Sequence, residues 1–179
     1  MSTCQHHPFV ELARAAIVAY VRDNQHLKPP RNLAPEFQAR AGAFVSLHLP
    51  DGELRGCIGT IEPVRENLAA EIIENAISAA TRDPRFPPVH VSELATLEIS
   101  VDVLTAPEPI DSIRDQDPKV HGLIVESKKN PHKRGLLLPD LAEIDTAEKQ
   151  LDYTRVHKAN ITNPNEPVQL YRFSVTRYH

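Results

Sequence analysis

Two alternating runs, AFVSLHLP (residues 43–50) and ELRGCIGTI (residues 53–61), stand either side of an Asp51-Gly52 pair, and no other feature narrows the fold as far. Strand side chains alternate with period two, and Asp-Gly between alternating runs is the strongest short-range hairpin signal. With Asp51 and Gly52 as a two-residue turn, Leu49 pairs with Leu54, His48 with Arg55, Ser46 with Cys57 and Phe44 with Gly59. One face then carries Leu49, Leu47 and Val45 against Leu54 and Ile58, and forms core. The other carries His48, Ser46 and Phe44 beside Arg55, Cys57 and Gly59, a thiol, a hydroxyl, an imidazole and a guanidinium around a small gap. That face reads as the floor of a site, and a slip of one residue would reverse every assignment. Gly56 and Gly59 are two of only six glycines, and glycine admits a backbone or ligand where a Cβ would clash.

Phe9, Leu12, Ala13, Ala16, Ile17, Tyr20 and Val21 recur at helical spacing, so a helix is expected over residues 9–23. Pro63 suits a first helical position, with Val64, Leu68, Ile72 and Ala76 continuing a second helix to near Arg82. In DPRFPPV, Pro84, Pro87 and Pro88 stiffen a loop holding Arg85 and Phe86. Such a loop either presents Arg85 to an anion or packs Phe86 into the core, and both can hold at once. TLEISVDVLT alternates with Leu97, Ile99, Val101 and Val103 inward, leaving Glu98, Ser100 and Asp102 for a solvated face. HGLIV and GLLLP read as strands around a basic KKNPHKR turn, residues 145–158 as a helix that Asn160 ends, and VQLYRFSVTRY as the last strand. Strands and helices without strict βαβ alternation indicate an α+β fold with mixed, mainly antiparallel sheets and packed helices.

At 179 residues the chain suits one domain, or two lobes sharing a core, and can bury roughly 70% of its unfolded surface. A formal charge of −4 argues against a general binder of nucleic acid or membrane surface. Its 16 prolines exceed the usual share of about 5%, so rigid connections are expected. Two cysteines far apart make neither a disulfide framework nor a thiolate zinc cage, and nothing calls for a metal or cofactor. Glu11 and Arg14 interrupt the first apolar run, which is neither signal peptide nor membrane span, so the default location is cytoplasmic. Cys4, His6 and His7 fall in an expected flexible tail through residue 8.

The blocks LRGCIGTI, DPRFPPV, LEISVDVL with APEPI, HGLIV and GLLLP, in this order, resemble the AMMECR-type domain family, whose prokaryotic members are called AmmeMemoRadiSam system protein A. The resemblance spans residues 9–178 and implies one domain of two intimately packed α/β lobes, with the RGCIG segment facing a cleft. It brings no established reaction. What it implies is company, a Memo-type protein and a radical S-adenosylmethionine enzyme. The motif residues it marks are Arg55, Gly56, Cys57, Gly59, Asp83, Arg85, Phe86, His121 and Gly122. Ile144-Asp145 and Val156-His157 stand where the family tends to have Trp-Asp and a second Cys, so the second family thiol is absent, which counts against a mechanism that needs both.

Two functions are compatible with these residues. In one, Cys57 is a nucleophile acting on a small anionic substrate, its thiolate favoured by Arg55 and Arg85, with His121 or His48 as base and Gly56 and Gly59 amides holding an oxyanion. In the other, the same Arg- and Gly-lined surface, with Ser46 and Phe86, is a non-catalytic module or scaffold gripping an anionic ligand or a partner protein, and Cys57 is a small buried hydrophobe.

Overall fold

In the computed structural model, which describes residues 6–179, the first helix begins earlier than its apolar spacing predicts. Helix α1 spans Pro8–Asp23, with Pro8 in the first turn, where its missing N–H costs nothing. His7 caps it, Nδ1 accepting from the Phe9 N–H at 3.3 Å, while the His7 N–H donates to His179 O at 3.0 Å. His7 and Pro8, expected in a flexible tail, are therefore part of the helix start; Cys4 lies outside the described residues. The chain divides into two compact units, Met1–Leu104 with Thr176–His179, and Thr105–Val175.

In the first unit, a single turn α2 (Pro35–Gln38) follows α1 and precedes the hairpin of β1 (Ala43–His48) and β2 (Leu54–Gly59). The hairpin register is as expected from Phe44↔Gly59 to Leu47↔Gly56, but His48 faces Leu54 rather than Arg55. The turn explains the difference. Gly52 N–H donates to Leu49 O at 2.9 Å and Leu49 N–H to Glu53 O at 2.9 Å, which leaves three loop residues, not two. Pro50 favours the first central position of a type I turn, and Gly52 at φ 85° supplies the left-handed residue that closes it. The register shift this causes is absorbed by an irregularity beside Arg55.

Helix α3 runs Leu68–Thr81 and starts at an Asn67 cap, not at Pro63. Residues before it are held otherwise: buried Glu71 accepts from the Val64 and Arg65 N–H groups at 2.9 and 2.8 Å and from Thr60 Oγ1 at 2.6 Å. Strand β3 (Glu98–Leu104) pairs antiparallel with β1 and completes the order β2-β1-β3. Helices α1 and α3 join Val45, Leu47, Ile99 and Val101 in one core. The opposite face differs from expectation, because Ser100 and Asp102 are buried. Arg177 Nε and Nη2 hold Asp102 at 2.8 and 2.9 Å, so only Glu98 of the three is exposed as expected.

The second unit carries β4 (Glu108–Ile110), β5 (His121–Ser127), β6 (Arg134–Leu137), helix α4 (Ala147–Tyr153) and most of β7 (Val168–Tyr178). Its strand order is β4-β7-β5-β6. Past Tyr153 the helix widens into a π turn over Thr154–Lys158, and Asn160 follows at φ 55°. A small core of Ile110, Leu123, Val125, Ala159 and Ile161 lies beneath. The strand pairings described are antiparallel, so the fold is α+β as its element pattern indicates. Among the described residues no helix is long and apolar enough to cross a membrane.

Candidate functional site

Strand alternation and the stiff DPRF turn bring five of the expected residues, Ser46, Cys57, Asp83, Arg85 and Phe86, to one place. Across β3-β1-β2, Ser100, Ser46 and Cys57 form one row and Asp102, Phe44 and Gly59 the next. Ser46 Oγ donates to Cys57 Sγ at 3.2 Å. The Cys57 N–H donates to Asp83 Oδ2 at 2.9 Å, and Arg85 Nη2 donates to the Cys57 carbonyl at 3.3 Å. Arg85 also chelates Asp83, Nε to Oδ1 at 2.9 Å and Nη2 to Oδ2 at 2.7 Å. Asp83 is buried while Arg85 keeps 55% of its side chain exposed and stacks its guanidinium 5.5 Å from the Phe86 ring centroid. The turn is thus a clasp on both backbone polar groups of Cys57.

Burial pushes the Cys57 thiol up; the Ser46 hydrogen bond and the Arg85 charge oppose that, while Asp102 and Asp83 add to it. The Arg85 guanidinium, helped by the Cys57 and Arg85 amides, holds the Asp83 carboxyl well below the usual carboxylate range. A depressed carboxyl contributes stability that is complete above its unfolded value, about 3.9, and is lost as pH falls through its folded value. Asp83→Asn is therefore expected to cost about 2 kcal/mol at neutral pH and to flatten the loss of stability between about pH 5 and 2. Urea titrations across that range check both.

Arg55 goes elsewhere. Its side chain, 11% exposed, gives Nε to Glu93 Oε1 at 2.7 Å and Nη2 to Oε2 at 3.1 Å, with Nη1 on Pro87 O at 2.9 Å. It staples β2 to the chain after α3. The glycines also have packing partners. A Cβ on Gly56 would sit 2.3 Å from Ala79 O, and one on Gly59 would sit 2.2 Å from Phe44 Cγ. His48 keeps the alternation of β1, opposite Leu54 and Glu98. His121 opens β5 in the second unit, its carbonyl accepting from Gln116 and Gln150. Among the described residues no three His, Cys, Asp or Glu side chains gather to hold a metal.

Glu93 and Asp102 were beyond the reach of sequence reasoning as site-shaping groups. Glu93 lies 38 positions from Arg55, and only its place beside a proline-rich loop hints at it. Asp102 has the parity of Ser100, but period says which face a residue takes and not what covers it.

A hairpin strand clamped by an aspartate–arginine turn, within an α+β fold of antiparallel sheets, defines the class of domain. A family model described as AMMECR1 matches residues 10–178, and the chain belongs to that family. A protein of Thermotoga maritima is 49% identical over 173 residues, covering 96% of this chain and 97% of its own length. A Clostridium acetobutylicum protein is 42% identical over 96% of this chain, which corresponds to 36% of that longer protein. The crystal structure of an uncharacterized protein from Pyrococcus horikoshii superposes with a TM-score of 0.81 at 33% identity, over 94% of this chain and 88% of that one.

Proposed function

We propose that this protein is a binding module rather than a thiol enzyme, and that the clasp around Cys57 presents Arg85 and Phe86 to an anionic group on a partner. The observation that carries this reading is the state of the thiol. Burial outweighs both the Ser46 hydrogen bond and the Arg85 charge that favour its ionisation, and the nearby guanidinium is already engaged by Asp83. A nucleophilic cysteine needs the reverse, a cation or base free to favour thiolate. Arg85 suits binding better. Asp83 fixes its orientation, its outer edge is exposed, and Phe86 lies beneath it, so a carboxylate or phosphate meets a preorganised donor at low entropic cost. The Memo-type and radical S-adenosylmethionine proteins that the family resemblance implies are the natural first partners to test.

The test is alkylation in a Cys4→Ser background. Iodoacetamide should modify folded Cys57 more slowly than free glutathione at neutral pH, with a profile displaced above the ordinary thiol value of about 8.5, and urea should restore the ordinary rate. Arg85→Ala should then abolish co-purification with either candidate partner while Cys57→Ser keeps it. Rapid labelling well below about pH 8, or loss of cellular function in a folded, partner-binding Cys57→Ser protein, would return the enzyme reading.

A further inference from the structure

The second unit holds a cavity of about 290 Å³ lined by Thr105, Glu108, His121, Arg172, Phe173 and Ser174. From its lining and the bonds within it, we infer that this cavity is a binding site for a small carboxylate, separate from the clasp around Cys57. Register assembles it. His121 lies opposite Ser174 on β5 and β7, and Arg172, two residues along, lies opposite Leu123 on β5 and Glu108 on β4. Residues two apart share a face, so an imidazole, a hydroxyl, a guanidinium and a carboxylate project from one side of three adjacent strands.

The floor is rigid. The His121 carbonyl accepts from Gln116 Nε2 at 2.8 Å and from Gln150 Nε2 at 3.0 Å, and both glutamines are buried. Thr105 and Ser174 are tied together through N–H to O at 3.0 Å and through the Ser174 N–H to Thr105 Oγ1 at 2.9 Å. The imidazole that this frame positions has a buried Nδ1 with no hydrogen-bond partner among the described residues. Buried polar atoms in native proteins are ordinarily paired, and His121, which carries this one, is among the residues that line the cavity.

Arg172 identifies the ligand class. Its Nε reaches Glu108 Oε2 at a long 3.4 Å and its Nη1 donates to Asp115 O at 3.2 Å. Glu108 is 69% exposed and Arg172 34%. The guanidinium thus already holds a carboxylate, weakly and at the water's edge, and a better placed one can displace it. A planar carboxylate matches the guanidinium fork, while the Ser174 hydroxyl and the imidazole supply further polar contacts.

The experiment titrates the whole chain, labelled at histidine, with succinate and in parallel with inorganic phosphate, following ring resonances by NMR. The His121 signal is assigned by its loss in His121→Asn. Succinate should shift it saturably, Arg172→Gln should weaken that binding roughly tenfold or more, and Glu108→Gln, which removes the internal competitor at an exposed position, should tighten it. No saturable shift of the His121 signal overturns the inference, as does equal affinity in Arg172→Gln, no tightening in Glu108→Gln, or tighter binding of phosphate than of succinate. None of these outcomes depends on Cys57 or Arg85, so the site stands or falls apart from the partner-binding reading.

Discussion

Replacing Arg55 with methionine should destabilise the protein by about 3–5 kcal/mol, lowering Tm by roughly 10 °C for a chain of this size. Methionine fills similar space, so the loss is polar. Arg55 satisfies Glu93 through two bonds and the Pro87 and Pro88 carbonyls through two more. Removing it strands a carboxylate 28% exposed and two proline carbonyls, and an unmade bond costs more than a made one contributes. Glu93 is held below its ordinary pKa, chiefly by the Arg55 hydrogen bonds. Its contribution is therefore complete above the unfolded value, about 4.3, and is lost as pH falls through the folded one. The wild type should lose stability towards acid faster than Arg55→Met. A cycle with Glu93→Gln should give a coupling of about 1–3 kcal/mol. If Arg55→Met unfolds within about 1 kcal/mol of wild type, Arg55 is not a staple, and its place in the anion-binding set must be restored.

Residue spacing encodes mainly local features of this fold. The α1 face, the pairing of Phe44–Leu47 with Gly56–Gly59 and the left-handed Asn160 each depend on spacing of a few positions, and each is found. The turn defeats the Asp-Gly rule because Pro50 one position earlier prefers a type I turn, which moves the left-handed residue to Gly52 and lengthens the loop. Helix α3 starts late because Glu71, in its first turn, captures the amides of Val64 and Arg65. Nothing at Pro63 encodes that.

The site is legible in the same measure. Alternation brings Ser46 and Cys57 together, and three prolines mark the loop that carries Arg85. Charge balance is not legible. Arg55 shares sequence parity with Cys57, yet its partner Glu93 comes from a distant turn and takes it out of the set. Asp102 reads as solvated because alternation is blind to Arg177, 75 positions away. Ionisation of Cys57 depends on these long-range interactions, so the residues alone are compatible with both an enzyme and a binding module. The half-buried sulfur, whose pKa burial pushes up, favours the second.

Gly56→Ala should cost about 3 kcal/mol, a fall in Tm of roughly 10 °C, with no defect confined to binding. The new methyl carbon would lie 2.3 Å from Ala79 O and 3.3 Å from Ala79 C, in the last turn of α3. Both obstacles are backbone, so no side-chain rotation relieves them. The strand cannot retreat, because β2 is paired to β1, held through the Cys57 N–H by Asp83 and stapled through Arg55. The helix cannot retreat either, with Ile72, Ile73, Ala76 and Ile77 in the core. Gly59→Ala provides the contrast. It meets Phe44 Cγ at 2.2 Å as well as Ala43 O at 2.6 Å, so Phe44→Ala, which removes the first obstacle, should cost less in the Gly59→Ala protein than in the wild type, whereas Leu47→Ala should cost no less in the Gly56→Ala protein. Denaturant unfolding of these single and paired variants separates the cases. A Gly56→Ala protein as stable as wild type but deaf to its partner would show that this glycine admits a ligand rather than a helix, and the RGCIG strand would then be a contact surface and not a packed floor.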